Sequence, residues 1–185
     1  MSDPLREKDC YREKARIKCN TMSLVRTGIG FDAHRFVRNR PLILGGVEVD
    51  HKLGLEGHSD ADVLCHAIMD ALLGAVADGD IGMHFPNTDP KWKNARSLDM
   101  LKAVADRLRR RGARVVNVDS TIIAERPKIA PHADAMRRNM ARVLGVDVDR
   151  VSVKATTAEK MGALGRAEGI AAMAVATVEQ GDSEE

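Results

Sequence analysis

The sequence predicts an α+β fold: one domain, a mixed β-sheet packed with helices on one face. Three observations carry this. At 185 residues the chain fits one domain with a real core. Stretches of strand character and stretches of helical period are interspersed along one chain without an internal repeat. The composition, 44% hydrophobic and 30% charged, is ordinary for a globular protein.

Residues 1–24 are charged and lack an apolar face, and are read as a disordered extension or as sequence upstream of an alternative start at Met22. The globular domain is expected over residues 25–180, with an acidic tail at 181–185. Residues 25–36 read as a strand. Residues 42–49 read as a second one, with Gly45-Gly46 allowing a bulge or a close approach. Ser59-Asp-Ala-Asp62 has capping-box spacing and predicts a helix from there to about Ala77, ended by Gly79-Asp80-Ile81-Gly82. Residues 84–90 form a turn-rich loop. Ser97 is read as the cap of a helix that Gly112 stops, its Arg107–Arg111 run lying in solvated last turns. A strand over 114–124, a helix over His132–Leu144 stopped by Gly145, and strands over 150–156 and 168–178 complete the fold.

Composition excludes some function classes. Aromatics make up 3% of residues, too few for base-stacking platforms on single-stranded nucleic acid. The first 26 residues hold seven basic and four acidic side chains, which leaves the rest close to neutral and without a broad polyanion-binding surface. Neither a membrane-length apolar stretch nor the apolar core of a secretory signal is present. Cys10, Cys19 and Cys65 lack zinc-finger or CxxC spacing and suit a reducing compartment, so the expected location is the cytoplasm.

The chemistry concentrates in two short segments. Asp32 and His34, two apart on a strand, point to one face. His66 lies four residues after Asp62 on a helix and can complete the set. One carboxylate and two imidazoles suit a zinc ion with an open fourth position. Each residue alone reads more readily as part of an ordinary polar strand pair or as a satisfied core histidine, and the joint pattern carries the metal reading. Asp62 and Asp70, flanking His66, are each placed to orient its ring or to be solvated helix charge, the second reading being preferred for Asp70.

A strand running into Lys154-Ala155-Thr156-Thr157-Ala-Glu159-Lys160 offers hydroxyls and backbone donors for a phosphate, with Glu159 as a hard oxygen ligand for magnesium. It also reads as a plain strand end with a surface Glu–Lys pair. Ala124-Glu-Arg-Pro127-Lys128-Ile129-Ala130-Pro131 is a stiffened loop able to present backbone groups to a flat base, or only a connection.

These motifs, with Leu44-Gly-Gly46, Asp70-Ala-Leu-Leu-Gly74, Phe85-Pro86, Asn117-Val-Asp119 and Gly165-Arg166, keep order and spacing from about residue 25 to 178. Together they resemble the 2-C-methyl-D-erythritol 2,4-cyclodiphosphate synthase family. The resemblance implies a homotrimer with inter-subunit active sites and an axial cavity, with isoprenoid diphosphate as its possible occupant. It implies closure of 4-diphosphocytidyl-2-C-methyl-D-erythritol 2-phosphate to the cyclic diphosphate with release of CMP.

By the same resemblance Asp32, His34 and His66 are zinc ligands, and Glu159 holds magnesium or manganese. His58 and Thr157 steady the transition state. Ser59, Asp80, Ile81, Gly82 and the loop Phe85, Pro86, Asn87, Thr88, Asp89 contact the methylerythritol end. Ala124, Pro127, Lys128, Ile129 and Ala130, with Ala155 and Thr156, form the cytidine pocket, and Ala163, Arg166 and Glu168 lie by the axial cavity. Three positions depart from the family pattern: Asn87 for an acid, Ala163 for an aromatic, and Arg126 for a small residue. Two other readings use the same donors: a zinc hydrolase with a metal-bound water, and a metal-dependent sensor of nucleotide or isoprenoid diphosphate.

Overall fold

A computed structural model describes residues 23–181; the extension before Ser23 and the acidic tail after Gly181 lie outside the described residues. The first strand, β1 (Leu24–Val37), is long because it alternates Gly28, Gly30, Asp32 and His34 on one face with Ile29 and Phe31 on the other. β2 (Leu42–Leu44), β3 (Val47–Val49) and β4 (Gly54–Leu55) come next, then α1 (Val63–Ala75), α2 (Ile81–His84) and α3 (Ser97–Arg110). The chain continues through β5 (Ala113–Ile123), α4 (Ala133–Leu144), β6 (Val151–Thr156), α5 (Gly162–Gly165) and β7 (Gly169–Gln180).

The main sheet has the order β4-β1-β7-β5-β6. β5 and β6 are parallel and the other neighbours antiparallel, so the sheet is mixed, as the sequence predicts. α1 lies across β1 and β7, while α3 and α4 cover β5 and β6 from the same side. Leu64, Ile68 and Leu72 of α1, Leu101 and Leu108 of α3, and Ile122 of β5 are sealed between these layers. Cys65 belongs to this core, and burial pushes its thiol well above the usual range.

Several expected boundaries are corrected. Residues 42–49 are not one strand but a hairpin: Gly45 and Gly46 both adopt positive φ, at 54° and 68°, so the chain reverses and β2 pairs antiparallel with β3. The capping box at Ser59 does not start α1. Asp62 is the N-cap, its Oδ1 accepting the Cys65 N–H at 3.1 Å while Oδ2 accepts the Gly46 N–H at 2.7 Å and ties the hairpin to the helix start. Nor does Gly79-Asp80-Ile81-Gly82 merely end α1; Asp80 caps α2 by accepting from Met83 N–H. The loop over 84–90 is partly helical, holding the end of α2 and the start of a 3₁₀ turn, Pro90–Trp92.

Ser97 is likewise not a cap: Arg96 holds that position, and Ser97 faces inward. The arginine run at the end of α3 is not simply solvated. Arg107 and Arg111 both grip the Asp78 carboxylate, and Arg109 reaches Asp106 and the Leu144 carbonyl.

Candidate active site

Glycines determine where the donors meet. A Cβ on Gly30 would lie 2.0 Å from the Ala67 carbonyl oxygen, and one on Gly28 would lie 2.1 Å from that of Ala71. α1 therefore rests directly on the backbone of β1. Asp32 and His34, next along the same face, reach the first turn of α1 where His66 projects.

Asp32 Oδ2 is 2.8 Å from His34 Nε2 and 2.9 Å from His66 Nδ1, and the two ring nitrogens are 3.2 Å apart. Asp32 Oδ1 accepts the Ala33 N–H at 2.8 Å, so one carboxylate oxygen alone faces the imidazoles. Burial by itself would raise the Asp32 carboxyl, but the hydrogen bonds and charge of His34 and His66 outweigh it and hold the group well below the ordinary carboxylate range. Burial would likewise lower His34, and the hydrogen bond and charge of Asp32 raise it instead.

The donor set fits a metal. Among the described residues Asp32, His34 and His66 form a group whose ligand atoms lie within 4.8 Å of one another. Tetrahedral bonds of about 2.0–2.1 Å place ligand atoms roughly 3.3 Å apart, close to the separations found here. A metal held by one oxygen and two nitrogens would keep a fourth position, and all three donors line a cavity of about 340 Å³.

That cavity is lined by His58, Ser59, Ile81, Gly82, Phe85, Pro86 and Asn87. His58 Nε2 lies 3.3 Å from the Asp89 carbonyl. Asp89 itself caps the following 3₁₀ turn, and Asp80 is likewise committed to its cap. Asp70, Trp92 and Met100 also line the cavity; sequence reasoning missed Trp92 and Met100 and preferred a solvated place for Asp70. Asp70 is not solvated helix charge: burial raises its carboxyl, partly offset by the Ile81 N–H it accepts at 2.8 Å. Trp92 is the chain's single tryptophan and stacks edge-on with Phe85 at 4.8 Å, the one compositional signal that could have marked it.

The walls are held by groups distant in sequence. Arg40 donates to the carbonyls of Gly57 and Ser59, pinning the loop that carries His58. On the side of His66 away from the donors, Nε2 lies 3.1 Å from Ser97 Oγ and 3.2 Å from Ser59 Oγ. Neither Asp62 nor Asp70, the two acids considered from the sequence, orients that ring.

The remaining predicted residues gather elsewhere. Thr156, Thr157 and Glu159 lie at and beyond the end of β6, with Glu159 exposed and receiving the Thr157 hydroxyl proton. The loop 124–130 packs against them: the Ala124 N–H donates to the Thr156 carbonyl at 3.0 Å. Across the sheet, Asp32 pairs with Ala172, Ala172 with Ile122 and Ile122 with Ala155. The β6 end thus lies three strand spacings from Asp32, roughly 14 Å. One chain does not bring Glu159 to the Asp32–His34–His66 group.

Ala163 and Glu168 line a different hollow, beside His34 and Leu53, and exposed Arg166 pairs with Glu168 at 2.6 Å. Arg126 is exposed and faces a groove with Arg38 and Lys52.

Fold and site together define a class: an α+β enzyme whose strand–helix junction presents an Asp-His-His metal-donor set to a cavity with largely apolar walls. The model of the YgbB family matches residues 25–179, and the chain belongs to that family. A 2-C-methyl-D-erythritol 2,4-cyclodiphosphate synthase of Symbiobacterium thermophilum is 61% identical over 151 residues, 82% of this chain and 96% of the relative. The protein of the same name from Synechococcus elongatus is 57% identical over 155 residues, 84% and 97% of the two chains. Among solved structures, the bifunctional IspDF of Campylobacter jejuni is 44% identical with a TM-score of 0.83, over 86% of this chain and 43% of that one. The Plasmodium falciparum IspF–CDP complex is 30% identical with a TM-score of 0.74, over 85% and 97%.

Proposed function

We propose that the site described above runs the reaction of its named relatives. The chain catalyses the intramolecular cyclisation of 4-diphosphocytidyl-2-C-methyl-D-erythritol 2-phosphate to 2-C-methyl-D-erythritol 2,4-cyclodiphosphate, releasing CMP, in the non-mevalonate route to isoprenoid precursors. The observation that carries this reading is the Asp32–His34–His66 donor triangle opening on the cavity of Phe85, Pro86 and Asn87, in a chain 57–61% identical to enzymes of that name.

An oxygen of the 2-phosphate attacks the β-phosphorus; the new P–O bond closes the ring as the bond to the α-phosphate oxygen breaks and CMP leaves with its electrons. No side chain needs to act as nucleophile, so the protein's task is to fold the substrate back on itself and offset charge. Orientation of this kind is worth roughly 7–11 kcal/mol. Zinc at Asp32, His34 and His66, with magnesium or manganese at Glu159, would supply Lewis-acid stabilisation to the phosphate oxygens.

His58 and Thr157 direct hydrogen bonds to the charge that grows in the transition state, each contributing about 3 kcal/mol. Ser59, Asp80, Ile81, Gly82 and residues 85–89 seat the methylerythritol end. Residues 124–130, with Ala155 and Thr156, take the cytidine. Asn87 keeps a hydrogen-bonding amide where an acid is usual, which spares the phosphates one repulsive charge.

The separation of Glu159 from the Asp32 group supports a site assembled between neighbouring protomers of a homotrimer. The outer face of the sheet supports it too: Ile29 and Phe31 of β1 pair with Val175 and Met173 of β7, and all four are 42–66% exposed. Around a threefold axis this face would enclose the axial cavity. Ala163, in place of an aromatic, would leave the cavity wider where Arg166 and Glu168 guard its mouth, a weaker hold for an isoprenoid diphosphate. Residues 25–180 are the catalytic domain, flanked by a charged extension and an acidic tail. No described helix is long and apolar enough to cross a membrane, in keeping with a cytoplasmic place of work.

The test is the cytidine diphospho-substrate followed by phosphorus NMR in ¹⁸O-water. A cyclic diphosphate and CMP without the heavy label are expected. A ring-opened phosphate carrying ¹⁸O would replace this reading with a zinc hydrolase.

A further inference from the structure

His66 is held on the side that faces away from the donor group, and the atoms there dictate which nitrogen carries its proton. Ser97 is the first residue of α3, wholly buried at 0% exposure. Its Oγ lies against Asp60 Oδ1, and its backbone N–H donates to Asp60 Oδ2 at 3.1 Å. Asp60 is the acceptor in both contacts, so the Ser97 hydroxyl proton points at Asp60. With that proton committed, the Ser97 oxygen turns a lone pair toward His66 Nε2, 3.1 Å away. A hydrogen on Nε2 completes that contact.

The other nitrogen, Nδ1, is left with its lone pair facing Asp32 and His34. Ser59 adds to this arrangement: its Oγ accepts the Ala61 N–H at 3.1 Å and offers a second acceptor to Nε2 at 3.2 Å. We propose that Asp60 and Ser97 are positioning residues that fix His66 as its Nε2–H tautomer and so hold Nδ1 ready as a metal ligand. This rests on the reading of Asp32, His34 and His66 as a metal site.

Chain geometry explains why such a device is needed. His66 belongs to α1, whereas Asp32 and His34 belong to β1, so the triangle forms only if the imidazole is fixed about its own axis. Ser97 comes from a third element, and Asp60, in the loop before α1, is tied to the segment leading into α3 through the Ala95 carbonyl, which accepts the Asp60 N–H at 3.0 Å. The relay therefore locks α3 to the start of α1 at the ligand. A hydrogen bond from the remote nitrogen of a ligating histidine sets its tautomer and raises its basicity, and losing such a partner typically weakens metal binding 10–100-fold.

The experiment is zinc affinity by competition with a chromophoric chelator, together with the visible absorption of the cobalt-substituted protein. Wild type is set beside Ser97→Ala, Asp60→Asn and His66→Ala. Ser97→Ala should bind zinc about 10–100-fold more weakly while keeping its far-UV circular dichroism, and its cobalt band should shift as the imidazole turns. Asp60→Asn, which keeps an oxygen acceptor for the Ser97 hydroxyl, should lose less. If Ser97→Ala misfolds, the smaller loss in Asp60→Asn still decides the matter. His66→Ala separates the relay from the site it serves. Zinc affinity unchanged in His66→Ala would remove the metal site itself. Weakened binding in His66→Ala with wild-type affinity and cobalt spectrum in both Ser97→Ala and Asp60→Asn would overturn the relay alone.

Discussion

Glu125 grips the turn that carries Glu159: one carboxylate oxygen of Glu125 accepts the backbone N–H groups of Ala158 and Lys160, each at 3.1 Å. The turn needs the grip, because Glu159 and Lys160 both adopt positive φ, at 49° and 62°. Gly165 closes on it from the other side, where a Cβ would lie 2.1 Å from the Lys160 carbonyl carbon. Glu125 belongs to the loop proposed for cytidine, and so links it to the turn proposed for the divalent cation. Glu125→Ala should release the turn, raising the magnesium concentration for half-maximal activity about tenfold, the effect of losing one or two charge-assisted hydrogen bonds. Glu125→Gln, which keeps an acceptor oxygen, should recover most of the loss. Magnesium titration of CMP release decides it; equal curves for Glu125→Ala and wild type would remove the coupling.

Gly30 should tolerate no side chain. Its missing Cβ is occupied by the Ala67 carbonyl at 2.0 Å and the Ala71 nitrogen at 2.7 Å, both backbone atoms of α1 that cannot turn aside. Gly30→Ala must lift the helix from the strand, carrying His66 away from Asp32 and His34. Overpacking of this kind costs about 1–3 kcal/mol, equivalent to roughly 2–12 °C in Tm for a chain of this size. Zinc content should fall with it. A variant with unchanged Tm and full zinc would contradict the account of how β1 and α1 create the site.

The sequence made these local relations legible and the cross-chain ones invisible. Asp32 and His34 were readable because the strand period is two, and His66 because it stands on a helix that opens nearby. Gly45-Gly46 admitted either a bulge or a reversal, and only antiparallel pairing of Leu42–Leu44 with Val47–Val49 distinguishes them. Ser59 and Ser97 each had the form of a helix cap, yet both hydroxyl oxygens lie against His66 Nε2, a choice made by tertiary packing. Arg40 at the Gly57 and Ser59 carbonyls, and Asp78 between Arg107 and Arg111, join residues 17 to 33 positions apart, beyond any periodic pattern.

The Asp78 cluster makes stability fall in acid. The hydrogen bond from Arg107 chiefly lowers the Asp78 carboxyl, against the opposing effect of burial, and the Arg111 charge adds to it. A depressed native value means the stabilisation is fully present above the unfolded carboxylate value of about 3.9. It is lost as pH falls from there through the lower native value. Asp78→Asn should therefore lower Tm by a few degrees at pH 7. The gap should hold to roughly pH 5 and narrow below pH 4 as the wild type protonates. Thermal melts of both proteins across that range test the sign: a gap that widened in acid would refute it.

The distance between Glu159 and the Asp32–His34–His66 group makes a prediction about assembly. Were each site built within one chain, Asp32 and Glu159 would have to act across roughly 14 Å of sheet. Were it built between protomers, two differently crippled chains could repair one another. His66→Ala and Glu159→Gln should each be inactive alone. Dissociated and reassembled together in equal amounts, they should form a random population of trimers in which about a quarter of all interfaces join an intact donor group to an intact Glu159. About a quarter of wild-type CMP release should return, in a particle near three times the 20.2 kDa of the chain. Phe31→Glu, which puts a charge on the exposed apolar face of β1, should prevent both the assembly and the repair. Mixed assemblies of the right mass with no activity would place both halves of the site in one chain.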